Sequence, residues 1–137
     1  MEQKDLIRKA LESRSMAYAP YSKFKVGAAL ETEDGTVYSG CNIENAAYSP
    51  GNCAERTAFF KAVSEGHRRF CRIAIVGGYE EGMQVSSYAT PCGVCRQVMM
   101  EFCNAGTFEI IVAKSMEEYK VYKLEELLPQ GFGPKNL

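Results

Sequence analysis

Apolar residues recur at Leu6, Ile7, Ala10, Leu11 and Met16, tracing one face of a helix from about Lys4 to Tyr18. Ala19-Pro20-Tyr21-Ser22 interrupts that pattern with turn residues. Phe24 to Leu30 and Val37 to Ile43 read as paired strands, joined through the hairpin signal Glu33-Asp34-Gly35. A turn-rich stretch, Tyr48-Ser49-Pro50-Gly51-Asn52, leads into a second helix from Cys53 to about Glu65, stopped by Gly66. Cys71 to Val76 is a short apolar run closed by Gly77-Gly78, and Phe108 to Ala113 is another; both read as buried strands. Between them the pattern predicts a third helix from Cys92 to about Cys103. Tyr119 to Tyr122 reads as a last short strand, and Leu124 to Leu128 as a helical turn or two before Pro129. Strands alternating with helices after a hairpin predict an α/β fold: a mixed sheet with helices on both faces.

No repeat or linker divides the 137 residues, so a single domain over 1–137 is expected. No apolar run is long enough to span a bilayer, and no membrane partner is expected. The formal net charge of -1 argues against a nucleic-acid backbone as partner, and the short cluster His67-Arg68-Arg69 reads as a solvated helix end. Six cysteines in a chain of this length read better as reduced, clustered thiols than as a disulfide framework, which points to the cytoplasm.

Pro91-Cys92-Gly93-Val94-Cys95 is the strongest local signal. Two cysteines three apart at a helix start share one side of its first turn and can grip one ion together. The unpaired N–H groups and partial positive charge of the helix end favour thiolate over thiol. Taken alone, the pair favours a metal site over a redox dithiol or plain buried thiols, and the lack of a second Cys-x-x-Cys argues against a structural zinc ribbon. Cys53-Ala54-Glu55 shifts the balance, because a third thiolate at a second helix start makes three protein ligands. Three ligands leave one tetrahedral position open, as in a catalytic zinc site. His67 stands at the far end of the helix that Cys53 begins, roughly 20 Å away, and reads as a surface residue rather than a fourth ligand.

Glu55, two residues after Cys53, points to another side of the helix. It is a candidate acid/base residue facing the open position; its plainer alternative is a first-turn carboxylate that complements the helix dipole. A zinc ion with three thiolates carries a formal charge of about -1, which blunts its effect on water. Arg56 is expected to hydrogen-bond the thiolates and offset that charge. Arg96, after Cys95, reads as a surface helix residue.

Cys53-Ala54-Glu55-Arg56-Thr57-Ala58, followed by Pro91-Cys92-Gly93-Val94-Cys95-Arg96-Gln97-Val98, resembles the zinc signature of the cytidine deaminases in its all-cysteine form. Ala17 to Phe24, Val26 to Leu30, Gly40 to Tyr48 and Leu127 to Pro134 resemble other family segments in the right order. The resemblance implies a three-layer α/β/α sandwich with a mixed sheet of about five strands. It implies one Zn2+ per subunit on Cys53, Cys92 and Cys95, with Glu55 as the proton shuttle for hydroxide attack at C4 of cytidine or 2'-deoxycytidine. It further implies that Asn42 and Glu44 hold the ribose hydroxyls, that Phe24 packs on the pyrimidine, and that backbone groups near Ala54 and Thr90 orient the exocyclic amine. Tyr48 and Phe132 would come from neighbouring subunits of a homotetramer whose active sites are shared. Without the resemblance, Phe24 and Phe132 read first as core, and Asn42 and Glu44 as a solvated strand edge. Two rival functions are a blasticidin-type deaminase of another cytosine compound and a zinc-stabilised binding module without turnover. The other thiols, Cys41, Cys71 and Cys103, are expected to fill the interior.

Overall fold

A computed structural model describes residues 1–137. The elements are α1 (Gln3–Arg14), β1 (Lys25–Thr32), β2 (Val37–Cys41), α2 (Ala54–Ser64), β3 (Phe70–Gly78), α3 (Gly93–Phe102), β4 (Glu109–Ala113), β5 (Tyr119–Lys123) and the short α4 (Leu124–Leu127). A 3-10 turn follows at Pro134–Asn136. The order matches the one the apolar pattern predicts.

The five strands form one sheet in the order β2-β1-β3-β4-β5. The β3–β4 pair is parallel and the others are antiparallel. The parallel pair is connected through α3, the helical crossover such a pair requires. Successive strand residues face opposite sides. Leu30, Ile73, Ile75, Ile110 and Val112 pack on one side with Ala54, Ala58 and Phe59 of α2 and Met99 of α3. Ala29, Ala74, Val76, Ile111 and Ala113 pack on the other with Leu6, Ile7, Ala10 and Leu11 of α1. Burial on both faces explains why β3 and β4 read as unbroken apolar runs.

Helix α1 ends four residues earlier than its pattern predicts. Ser15, Met16 and Ala17 turn through bonds to carbonyls three residues back, and Met16 is exposed. The Ser13 hydroxyl donates to the Ala10 carbonyl and also to the Gly40 carbonyl of β2, so the helix end is fastened to the sheet. Three other expectations are corrected. Cys71 is exposed rather than interior, because it lies at the start of β3, where the strand pattern alternates outward. Cys41 and Cys103 are half-buried. His67 is half-buried, with its ring against Tyr38.

Candidate active site

The site is built at two helix starts. Cys53 caps α2 and Cys92 caps α3, each with extended backbone (φ -78, ψ 156 and φ -69, ψ 168). Neither side chain bonds back to its own helix, so both sulfurs remain free to face each other. Helix α2 is set close to the sheet because β2 carries Gly40 beneath it. A Cβ there would overlap the Ala54 carbonyl oxygen and come within 2.7 Å of the Ala58 nitrogen.

The three sulfurs of Cys53, Cys92 and Cys95 lie within 4.8 Å of one another. Cys53 Sγ is 3.8 Å from Cys92 Sγ, and Cys92 Sγ is 3.5 Å from Cys95 Sγ. Sulfurs about 2.3 Å from one tetrahedral ion stand about 3.8 Å apart, so the spacing fits zinc. Their proton chemistry agrees. The Cys95 thiol and the Arg56 guanidinium donate to Cys53 and bring its pKa down to about 5. Cys95 is pushed up by its hydrogen bond with Cys53 and by burial. Three thiols this close ionise together only when a cation offsets their charge. The cluster is positioned to hold a single zinc ion with three sulfur ligands.

Arg56 Nη2 donates to Cys53 Sγ at 3.3 Å, in the place the charge argument assigns it. The neighbouring thiolates raise its pKa above the ordinary arginine value. Glu55 is 5% exposed, among the few buried charged residues. Desolvation, with a smaller contribution from Cys53, lifts its carboxyl to about 7. A buried carboxyl near neutrality both takes and returns protons.

Glu55, Cys53, Cys92, Ala54 and Arg56 line a cleft of about 730 Å³. Phe24, Asn42, Glu44, Tyr48 and Thr90 line it too. Asn42 carries a structural duty there: Oδ1 accepts the Val26 N–H at 2.8 Å, and Nδ2 donates to the Phe24 carbonyl at 2.8 Å. Its side chain continues the β1–β2 pairing past the last strand residue. Glu44 Oε1 accepts the N–H groups of Tyr21 and Ser22, each at 3.1 Å, and its Oε2 accepts the Ser22 hydroxyl. These bonds, the serine hydroxyl first, hold the Glu44 pKa low. Asn42 and Glu44 thus fasten the loop that presents Phe24, and Lys23 within it adopts a left-handed φ of 64°.

Tyr48 is fully exposed at the rim. Phe132 lies outside this chain's own cleft and is 57% exposed; its carbonyl accepts Gln97 Nε2 at 2.8 Å. Arg96 is half-buried and bonded, not a free surface side chain. Its guanidinium donates to the Pro91 and Leu127 carbonyls at 2.7 and 2.6 Å, tying the loop before α3 to the C-terminal segment. Two residues near the site have no counterpart in the sequence reading: Ser22, which meets Glu44, and Tyr79, whose ring meets Phe24.

The family model described as "Cytidine and deoxycytidylate deaminase zinc-binding region" matches residues 1–112. The cytidine deaminase of Sporosarcina psychrophila is 48% identical over 137 residues, which is 100% of this chain and 96% of that protein. The one from Halalkalibacterium halodurans is 44% identical over 137 residues, covering 100% of this chain and 98% of that protein. The crystal structure of the cytidine deaminase from Burkholderia pseudomallei superposes with a TM-score of 0.86 at 46% identity, over 96% of this chain and 100% of that one. No helix here is long and apolar enough to cross a membrane. With its sulfur trio spaced for zinc at the mouth of two helices, and with likeness running the full length of its relatives, the chain belongs to the cytidine and deoxycytidylate deaminase family.

Proposed function

We propose that the chain converts cytidine and 2'-deoxycytidine, with water, to uridine and 2'-deoxyuridine and ammonia. The observation that carries this reading is a zinc-spaced sulfur trio, two of whose cysteines line the same cleft as a buried carboxyl with a pKa near 7. Zinc held there supplies Lewis-acid activation of water for attack at C4. Glu55 takes up the proton that water loses and delivers it to N3 of the pyrimidine; it then takes the second proton of that oxygen, now bonded to C4, and passes it to the amine, which leaves as ammonia when the C4–N bond breaks. Its burial suits it to both steps, since neither protonation state is strongly preferred near neutral pH. Arg56 offsets the charge of the thiolates through Cys53. The Ala54 and Thr90 backbone orients the amine, Phe24 forms one wall for the base, and Asn42 and Glu44 meet the sugar. Likeness to the named cytidine deaminases supports these assignments, as does the presence of all seven residues in the cleft wall. The reading extends to a homotetramer in which Tyr48 and Phe132 complete a neighbour's site. Phe132 is exposed and outside its own chain's cleft, as a residue serving a neighbour would be.

The test is ultraviolet monitoring of purified protein with cytidine, deoxycytidine, cytosine and blasticidin, before and after chelation. Zinc-dependent loss of the cytidine and deoxycytidine absorbance, with ammonia released in step, is expected. Turnover of blasticidin alone would reassign the substrate. No ammonia from any of the four would leave a binding module.

A further inference from the structure

We propose that Tyr79 is a positioning residue for pyrimidine binding, acting through Phe24; this rests on the deaminase reading above. Phe24 lies on a loop, one residue before β1, and so lacks the neighbours that fix a strand side chain on both sides. Its ring nevertheless has two defined contacts. One is with Gly77, where a Cβ would come within 3.0 Å of Phe24 Cε2; the absent side chain leaves the room that the ring occupies. The other is with Tyr79, whose ring meets Phe24 edge-on, with centroids 5.0 Å apart and planes at 77°. Strand register brings the two together. Lys25 pairs with Gly78 at the end of the β1–β3 ladder, and residues 24 and 79 are the next opposed pair.

Tyr79 is itself held by its loop. The buried Arg14 donates to the carbonyls of Gly78 and Glu80 on either side of it, to Gly82 further along, and to Lys25 across the ladder. Val85 is buried in the core under α1, and its N–H donates to the Lys114 carbonyl, which anchors the far end. The segment from Gly78 to Val85 is therefore a fixed bracket that presents an aromatic ring. With the bracket fixed on one side and the cleft on the other, the Phe24 ring is held in one orientation on the cleft wall, ready to pack against a flat heteroaromatic base. Without Tyr79 the ring gains rotamers that the bound state must then exclude.

An edge-to-face pair of this kind shifts an equilibrium by about two- to tenfold. For Tyr79→Ala we expect KM for cytidine to rise about three- to tenfold with kcat within about twofold, because the zinc and Glu55 are untouched. Uridine affinity by calorimetry should weaken in proportion, and zinc content should stay at the unmodified level. Tyr79→Phe should restore both constants, since the ring and not the hydroxyl makes the contact. Unchanged KM and uridine affinity in Tyr79→Ala would overturn the proposal. So would a joint fall of kcat and zinc content, or a failure of Tyr79→Phe to rescue. The unmodified protein runs in the same assays. If it neither turns over cytidine nor binds uridine, the deaminase reading fails and this one with it. If it does both while Tyr79→Ala matches it, only the positioning role fails.

Discussion

The starts of α2 and α3 have nearly the same local design and do different work. Each is capped by a cysteine in extended backbone, and each carries an arginine in its first turns. On α2 that arginine, Arg56, meets a sulfur. On α3 Arg96 meets two carbonyls, one of them 31 residues along the chain. Helix α2 also carries Glu55, while α3 contributes two of the three sulfurs and no acid in its first turn. One helix start thus carries a buried carboxyl and an arginine bonded to a sulfur, and the other carries two clustered sulfurs and a tie to the C-terminal segment. The same residue type, a few positions from a ligand, has its role set by what lies opposite it rather than by its place in the motif.

This division is open to attack at four points. Loss of the chelating pair should have the largest effect. Cys92→Ser should leave less than one zinc per chain by elemental analysis, with cytidine turnover below detection, because a neutral hydroxyl replaces a thiolate ligand. Chelation of the unmodified protein should do the same, and added zinc should reverse it. Next, Glu55→Gln should retain zinc while kcat falls by roughly 10²–10⁴-fold, the usual range for removal of a general acid–base group. A Glu55→Gln protein with near-normal kcat would move the proton chemistry off α2.

The two arginines give the sharpest contrast. Arg56→Gln should lower kcat/KM or zinc affinity by about 10- to 100-fold, the range for groups that support metal ligands, with little change in melting temperature. Arg96→Ala should do the opposite. It removes charge-assisted bonds to Pro91 and Leu127 at a cost of about 1.5–3 kcal/mol in stability, with kcat/KM of the zinc-loaded protein within about threefold. Matching profiles for the two variants would erase the distinction between the helix starts.

Much of the molecule was legible in its sequence because the signals are local. The period-two and helical patterns place each element, and Cys92 and Cys95 share a helical turn whatever the rest of the fold does. That Cys53 joins them was legible only as a motif, since its approach depends on how α2 sits over Gly40. Arg96 was misread because its acceptor on Leu127 is brought near by tertiary packing that spacing does not encode. Met16 was misread because its apolar side chain continues the period of α1 beyond the point where Ser13 fastens the helix end to β2. Tyr79 left no sequence signal of its own. Its partner follows from the β1–β3 register, which becomes visible only once those strands are paired.

Asn42 has a consequence for anyone redesigning the cleft under the sugar-binding role proposed for it above. An amide offers two hydrogens and two lone pairs, and the chain has already spent one of each on Val26 and Phe24. Any replacement must also reproduce those two rungs, or the loop that carries Phe24 shifts along with whatever contact is being changed. Under the proposed reading, selectivity and scaffold are welded at that position, so libraries that vary it alone should return mostly damaged proteins, and useful diversity lies in residues that hold nothing else in place.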